Sequence, residues 1–282
     1  MAGLVSCSGL NDLLLPESSG IIASSRTQSK TPMERQPSDY SAYGERIADI
    51  YDDWYESYDA RAIDVLAELA GDGPALELGI GTGRIALPLQ ERGVMVRGID
   101  ASEKMIAQLQ AKPGGYRIPV TLGNFADAPV DGRYPLIYVV FNTFFALLTQ
   151  EEQVRCFQNV AKHLTPNGVF LLETFMPDMT RFQRDQNISL VAMDDGYLRI
   201  DVTQHDPVNQ MVYSQHVAWT ESGARFYPVR LRYAWPSELD LMAQIAGLRL
   251  SERWGDWDKQ PFTAQSAKLI SLYRLETASG DR

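Results

Sequence analysis

Cysteine and histidine are scarce in this chain. Two cysteines, Cys7 and Cys156, and three histidines, His163, His205 and His216, are spread over 282 residues. Two isolated thiols leave no disulfide framework, and the expected compartment is the reducing cytoplasm. No Cys/His cluster has metal-ligand spacing, so no metal is expected. A run of about 18 apolar residues is missing too, which argues against a membrane-spanning helix and a membrane partner. Leu4-Val5-Ser6-Cys7 has the outline of a lipoprotein cleavage box, but no basic n-region or apolar h-region precedes it, and it reads as chance. Basic charge is in deficit: 26 Lys and Arg face 36 Asp and Glu, a net charge of −10. Without a basic run to follow a phosphate backbone, nucleic acid is not an expected partner. No internal repeat is visible.

What is present divides the chain. Residues 1–38 are rich in Ser, Thr and Gln with few apolar anchors, and read as a disordered tail. Residues 39–71 read as a helical cap. Ile47, Ile50, Tyr51, Trp54, Tyr55 and Tyr58 recur at spacings of three and four, one helix face. A second helix follows over 61–69, with Ile63, Leu66, Ala67 and Ala70 inward.

From Gly73 strands and helices alternate, the pattern of a parallel α/β sheet. Strands are expected at 75–78, 94–99, 120–122, 136–141 and 169–173, with helices at 84–91, 102–111 and 151–164. Ser102 is the expected N-cap of the second of these helices. Thr165-Pro166-Asn167-Gly168 reads as the turn after the third. Within residues 179–235 three period-two segments, 198–204, 211–217 and 225–233, predict an antiparallel insertion with one apolar and one wet face. A helix (237–246) and two strands (248–254, 268–274) close the core over 236–275. The fold class is therefore α/β: a doubly wound, mostly parallel seven-stranded Rossmann-like sheet with that insertion after strand five.

Three glycines at alternate positions, Gly79, Gly81 and Gly83, stand between the first strand and its helix. Such a turn lets a nucleotide-like ligand approach backbone N–H groups closely. Asp100 ends the second strand about 20 residues on, where an acid can accept from ribose hydroxyls. Two glycine registers compete, because Gly81-Thr82-Gly83-Arg84-Ile85-Ala86 also satisfies the dinucleotide pattern G-x-G-x-x-G/A and a nicotinamide-dependent oxidoreductase. Glu77, two residues before Gly79, tips the balance. A carboxylate there suits a cationic amino group and not a pyrophosphate.

Glu77-x-Gly79-x-Gly81-x-Gly83 followed by Asp100 resembles the cofactor motif of class I S-adenosylmethionine-dependent methyltransferases. The resemblance covers most of residues 40–275 and is nearest to small-molecule enzymes of secondary metabolism, such as those acting on antibiotic sugars. It implies that Asp100-Ala101 hold the ribose side and that Met105 packs near the adenine. Gly123-Asn124-Phe125 stands at the third motif. The family usually carries Asp where Asn124 stands, accepting from the adenine amine, and Asn124 would accept through its carbonyl oxygen. Phe141-Asn142-Thr143-Phe144 resembles the motif beside the methyl group, which makes Phe141 a cofactor contact. The cap helix would close over S-adenosylmethionine.

The methyl acceptor is then a small molecule bearing a nucleophilic N, O or C. Glu173, at the end of strand five, His216 and His205 on the insertion, and Tyr51 on the cap are the candidate bases. The insertion also carries Arg181, Arg184, Arg199, Arg225, Arg230 and Arg232 among aromatics, which read as surface charge over core or as an Arg clamp for a carboxylate or phosphate. A prenyl-type alkene methylated at carbon is a further option, with aromatic faces stabilising a carbocation. A methyltransferase-like binding subunit without activity is the non-enzymatic alternative. The extra strands of the insertion predict a homo-oligomer, a dimer or higher.

Overall fold

The computed structural model describes residues 41–127 and 130–276. The expectation for residues 1–38 lies outside them. In chain order the elements are α1 (Ala42–Trp54), α2 (Ala60–Ala70), β1 (Ala75–Leu78), α3 (Ala86–Glu91), β2 (Val96–Asp100), α4 (Glu103–Ala111), β3 (Val120–Leu122), β4 (Tyr134–Val139) and α5 (Gln150–His163). There follow β5 (Leu164–Phe175), β6 (Gln186–Asp194), β7 (Tyr197–Asp206), β8 (Met211–Thr220), β9 (Gly223–Arg232), α6 (Pro236–Ile245), β10 (Leu248–Trp254) and β11 (Lys268–Leu275). Among the described residues no helix is long and apolar enough to cross a membrane.

Seven strands form one sheet in the order β10-β11-β5-β4-β1-β2-β3. β1 to β5 run parallel, and β11 is antiparallel to both β5 and β10. Leu136, Ile137, Tyr138 and Val139 of β4 are fully buried, as a strand covered on both faces requires. The strand order reverses between β1 and β4, and ligands of open α/β sheets gather at the carboxyl ends of strands at such a switch point. Ser102 caps α4 as expected, accepting from the Met105 amide at 3.2 Å. α5 opens on a full capping box, Thr149 with Glu152.

Three local expectations are corrected. Tyr58 does not share the α1 face: the helix ends at Trp54, Asp59 caps α2 through the Arg61 amide, and Tyr58 is exposed in the linker. Thr165 to Gly168 make a wide bulge inside β5, because Leu164 already pairs with Tyr134 and Val169 with Leu136. The insertion has four strands, β6-β7-β8-β9, not three. β6 escapes a period-two reading because its register slips between Leu190 and Ala192.

The faces of the insertion also differ from expectation. Tyr197, Ala218 and Tyr227 pack on α1, so the face carrying them looks inward, yet Arg199, Asp201, Thr203 and His216 share it. The outer face exposes Ile188, Leu190, Trp219 and Phe226.

Candidate active site

Gly79, Gly81 and Gly83 take φ of +73°, +56° and +78°, a region that side chains disfavour. A Cβ on Gly79 would meet the Thr143 side chain, whereas one on Gly81 would project into open space. Gly81 therefore borders a cavity, whose wall includes Tyr43, Tyr51, Gly79, Asp100, Ala101, Met105, Asn124, Phe125 and Thr143. β1, β2, β3 and β4 each deliver their following loop to this wall, which is why residues far apart in sequence meet there. A second, larger cleft lies at the opposite edge of the sheet, lined by Val96, Arg97, Arg117 and Tyr134 and by no residue of the glycine turn.

Glu77 is 3 % exposed, and its carboxylate accepts from the Tyr138 hydroxyl at 2.9 Å. Burial pushes its carboxyl up to about 8, against the pull of the Tyr138 bond and the Arg84 charge. Burial also raises Asp100, although its Oδ2 accepts from the Gly81 amide at 2.7 Å and its Oδ1 from the Ser102 amide at 2.9 Å.

Asn124 is arranged differently from expectation. Its Oδ1 accepts from the Ala126 amide at 2.9 Å, and its buried Nδ2 has no partner among the described residues. The oxygen expected to accept is thus already engaged, and the group left without a partner is a donor.

Phe141 does not line this cavity. Its backbone is left-handed at φ +57°, the residue is 39 % exposed, and the Arg84 guanidinium sits 3.9 Å from the ring centre. It belongs to an adjoining cavity with Ser57, Arg84, Glu173, Trp257 and Lys268.

Among the candidate bases, Glu173 is already occupied. Oε2 accepts from the Phe141 amide at 3.0 Å, and Oε1 from Lys268 Nζ at 3.0 Å and Trp257 Nε1 at 3.3 Å. Such a carboxylate braces the left-handed turn at Phe141, with both oxygens engaged by protein donors. Tyr51 lines the glycine cavity, but burial pushes its hydroxyl up to about 12, so at neutral pH it donates and does not accept a proton. His205 is a core residue, stacked on Phe182 at 4.7 Å and bonded through Nε2 to the Tyr233 hydroxyl at 3.0 Å. His216 differs from all three. Its Nδ1 lies 3.3 Å from Asp201 Oδ1, and its ring meets Trp54 edge-on at 6.2 Å.

Sequence reasoning missed how α1 is fastened. Glu45 accepts from Ser102 Oγ at 2.7 Å and from the Lys104 amide at 3.1 Å. At the other end Asp52 accepts from Thr82 Oγ1 at 2.6 Å and pairs with Lys112 at 2.7 Å. Both acids read in the sequence as ordinary solvent-face charges, with no signal to distinguish them. The tethers hold Tyr43 and Tyr51 over the glycine turn. Tyr51, Tyr55 and Phe141 continue the aromatic surface, with centroid distances of 4.9 Å and 5.3 Å.

Comparison with known proteins agrees with this geometry. Residues 75–168 match a family described as a methyltransferase domain. The solved structure of the CcbJ methyltransferase from Streptomyces caelestis is similar at 38 % identity and a TM-score of 0.79, covering 84 % of this chain and 99 % of that one. The cypemycin N-terminal methyltransferase of a Streptomyces species is 27 % identical over 242 residues, 83 % of this chain and 97 % of that protein. An S-adenosylmethionine-dependent methyltransferase from Clostridium acetobutylicum shares the fold, with a TM-score of 0.70 at 15 % identity over 82 % of this chain and 98 % of its own. These findings set aside both the oxidoreductase reading of Gly81 to Ala86 and the non-enzymatic alternative. The chain belongs to the class I S-adenosylmethionine-dependent methyltransferases of small-molecule type, and S-adenosylmethionine is its methyl donor.

Proposed function

We propose that this enzyme methylates an amine nitrogen of a small natural product. The observation that carries the reading is the Asp201–His216 pair beside Trp54, on the inner face of the insertion. An amine reaches the enzyme largely as an ammonium and becomes a nucleophile only on losing a proton. An imidazole nitrogen can accept that proton, and a carboxylate beside it stabilises the imidazolium that results. A hydroxyl or carbon acceptor would need a stronger base, and neither Glu173 nor Tyr51 is set up to be one. The aromatic rings of Tyr43, Tyr51, Trp54 and Tyr55 favour the cation before and after transfer. The curated relative named for its action on an N-terminus is consistent with an amine acceptor.

Two features fit the cofactor: a donor at Asn124 Nδ2 and a buried Glu77 that have, respectively, no hydrogen-bond partner and no paired cation among the described residues. When bound, S-adenosylmethionine supplies an electrophilic methyl group on a sulfonium. Glu77 would hold its ammonium group, Asp100 with the adjoining Ala101 the ribose, and Asn124 Nδ2 a ring nitrogen of the adenine. Met105 and Phe125 would flank the base. The chain's own contribution to the reaction is to position the amine, exclude water and take one proton on His216.

Isoamylamine and isoamyl alcohol, offered separately with S-adenosylmethionine, test the reading by product mass. Methyl transfer to the amine is expected. Transfer to the alcohol alone, or to neither, sinks it. The exposed apolar outer face of the insertion, Ile188, Leu190, Trp219 and Phe226, supports a homo-oligomer joined there. Light scattering on the wild type and on Leu190→Glu is the check: a monomeric wild type ends that part of the proposal.

A further inference from the structure

Arg199 stands one turn of the pleat from Asp201 on the inner face of β7, toward α1. Its Cζ lies 4.4 Å from the centre of the Trp54 ring. Its Nε is buried and has no hydrogen-bond partner among the described residues. Two residues on, Asp201 Oδ2 takes a weak bond from Thr203 at 3.4 Å. Asp201 Oδ1 is buried and has no aligned donor among the described residues, although His216 Nδ1 is 3.3 Å away. The inner face of β7 therefore carries, two residues apart, a buried donor and a buried acceptor with no hydrogen-bond partner among the described residues. Buried polar groups left without partners are costly, and a donor and an acceptor this close together call for one group that satisfies both.

The spacing states the shape of that group. Residues i and i+2 of a strand share a face with their Cα atoms roughly 6.6 Å apart. A ligand lying between the two side chains must offer an acceptor to Arg199 and a donor to Asp201 only a few ångströms from each other. An amine with a carbonyl on the neighbouring carbon does so; a simple alkylamine or a lone carboxylate does not. We propose that Arg199 and Asp201 clamp an α-amino carbonyl group. The guanidinium receives the carbonyl or carboxylate oxygen, and Asp201 receives an amine N–H, which holds the nitrogen beside His216. The inference rests on the amine reading and narrows the acceptor to the amino end of an amino acid or of a peptide-like molecule. The position of Arg199 over Trp54 also ties the clamp to the cap helix, whose Tyr51 lines the cofactor cavity.

The test uses the full chain saturated with S-adenosylhomocysteine, so that binding is read without turnover. Isoamylamine, leucinamide and leucine carry the same alkyl group with no carbonyl, a neutral carbonyl and a carboxylate. Calorimetry should show leucinamide, leucine or both binding at least about tenfold tighter than isoamylamine. A preference for leucine indicates a free amino acid, and a preference for leucinamide indicates a peptide-type terminus. Arg199→Ala should erase the preference while leaving S-adenosylhomocysteine affinity within a few-fold. Should that variant melt early, Arg199→Lys is the readout, because a point charge cannot reproduce the planar fork, and the leucinamide preference should fall several-fold. A wild-type protein that fails to discriminate among the three probes, whether it binds all or none, overturns the clamp. So does a preference that survives substitution of Arg199. The amine reading fails separately, by the isoamylamine and isoamyl alcohol comparison.

Discussion

Glu77 and Tyr138 are register partners on the adjacent parallel strands β1 and β4, and the tyrosine hydroxyl donates to the carboxylate at 2.9 Å. One neutral donor does not compensate a buried charge. The Glu77 carboxyl therefore sits up at about 8 and holds its proton at neutral pH.

This sets a pH dependence for cofactor binding. Pairing with the ammonium of the cofactor requires the carboxylate, so below about pH 8 binding must release a proton. Affinity for S-adenosylhomocysteine should rise as pH increases and level off near 8, by up to about tenfold per pH unit. Glu77→Gln should bind at least about tenfold more weakly and lose the slope. Calorimetry in buffers of different ionisation enthalpy measures the proton directly, and no proton release with a flat profile would contradict the assignment.

The same shift has the opposite sign for the stability of the ligand-free protein. The folded value lies above the unfolded one, which is the ordinary carboxyl value of 4.5. Its contribution to stability is complete below about pH 4.5 and is lost as pH rises through about 8. Glu77→Gln, which stays neutral, should therefore gain in melting temperature relative to wild type between about pH 6 and 9. A loss across that range would show that the carboxylate is compensated.

Asp100 links the cofactor site to the glycine turn, because it already holds the amides of Gly81 and Ser102. Asp100→Asn keeps the shape but loses the charge and part of the acceptor capacity. Cofactor affinity should fall by about tenfold or more, a loss of roughly 1.5–3 kcal/mol for a charge-assisted bond. Unchanged affinity in titration would remove Asp100 from the ribose role.

Arg232 anchors β9 to the core helices. It donates to Gln153 Oε1 of α5 and to Glu238 Oε1 of α6, each at 2.7 Å. Glu238→Ala leaves a buried guanidinium short of its counter-charge. The cost should be about 2–3 kcal/mol, at the low end for a broken buried pair because Glu238 retains some contact with water. Urea unfolding measures it, and a change below about 0.5 kcal/mol would show that the pair is solvated.

Legibility in the sequence followed periodicity and covalent neighbours. β1, β3 and β10 have the bounds their apolar runs indicate, and the Gly79 to Gly83 turn with Asp100 was readable because strand, turn and helix are contiguous. What depends on contacts across the fold was not readable. The bond from the Phe141 amide to Glu173 turns a candidate base into a brace. The bond from the Ala126 amide to Asn124 turns an acceptor into a donor. His205 and His216 look alike on alternating strands. Only packing separates them, the first stacked on Phe182 and the second facing Trp54 across from Asp201.

The most direct test of the account is methyl transfer to leucinamide by the wild type and by His216→Ala, with cofactor affinity measured in parallel. N-methylleucinamide is the expected product. Turnover should be slowed by about 100-fold or more in the variant at neutral pH, partly recovered as pH rises and the free amine becomes abundant, with S-adenosylhomocysteine affinity within a few-fold of wild type. A methyl group found on any atom other than the amine nitrogen, or a variant that turns over at the wild-type rate across the pH range, would contradict it.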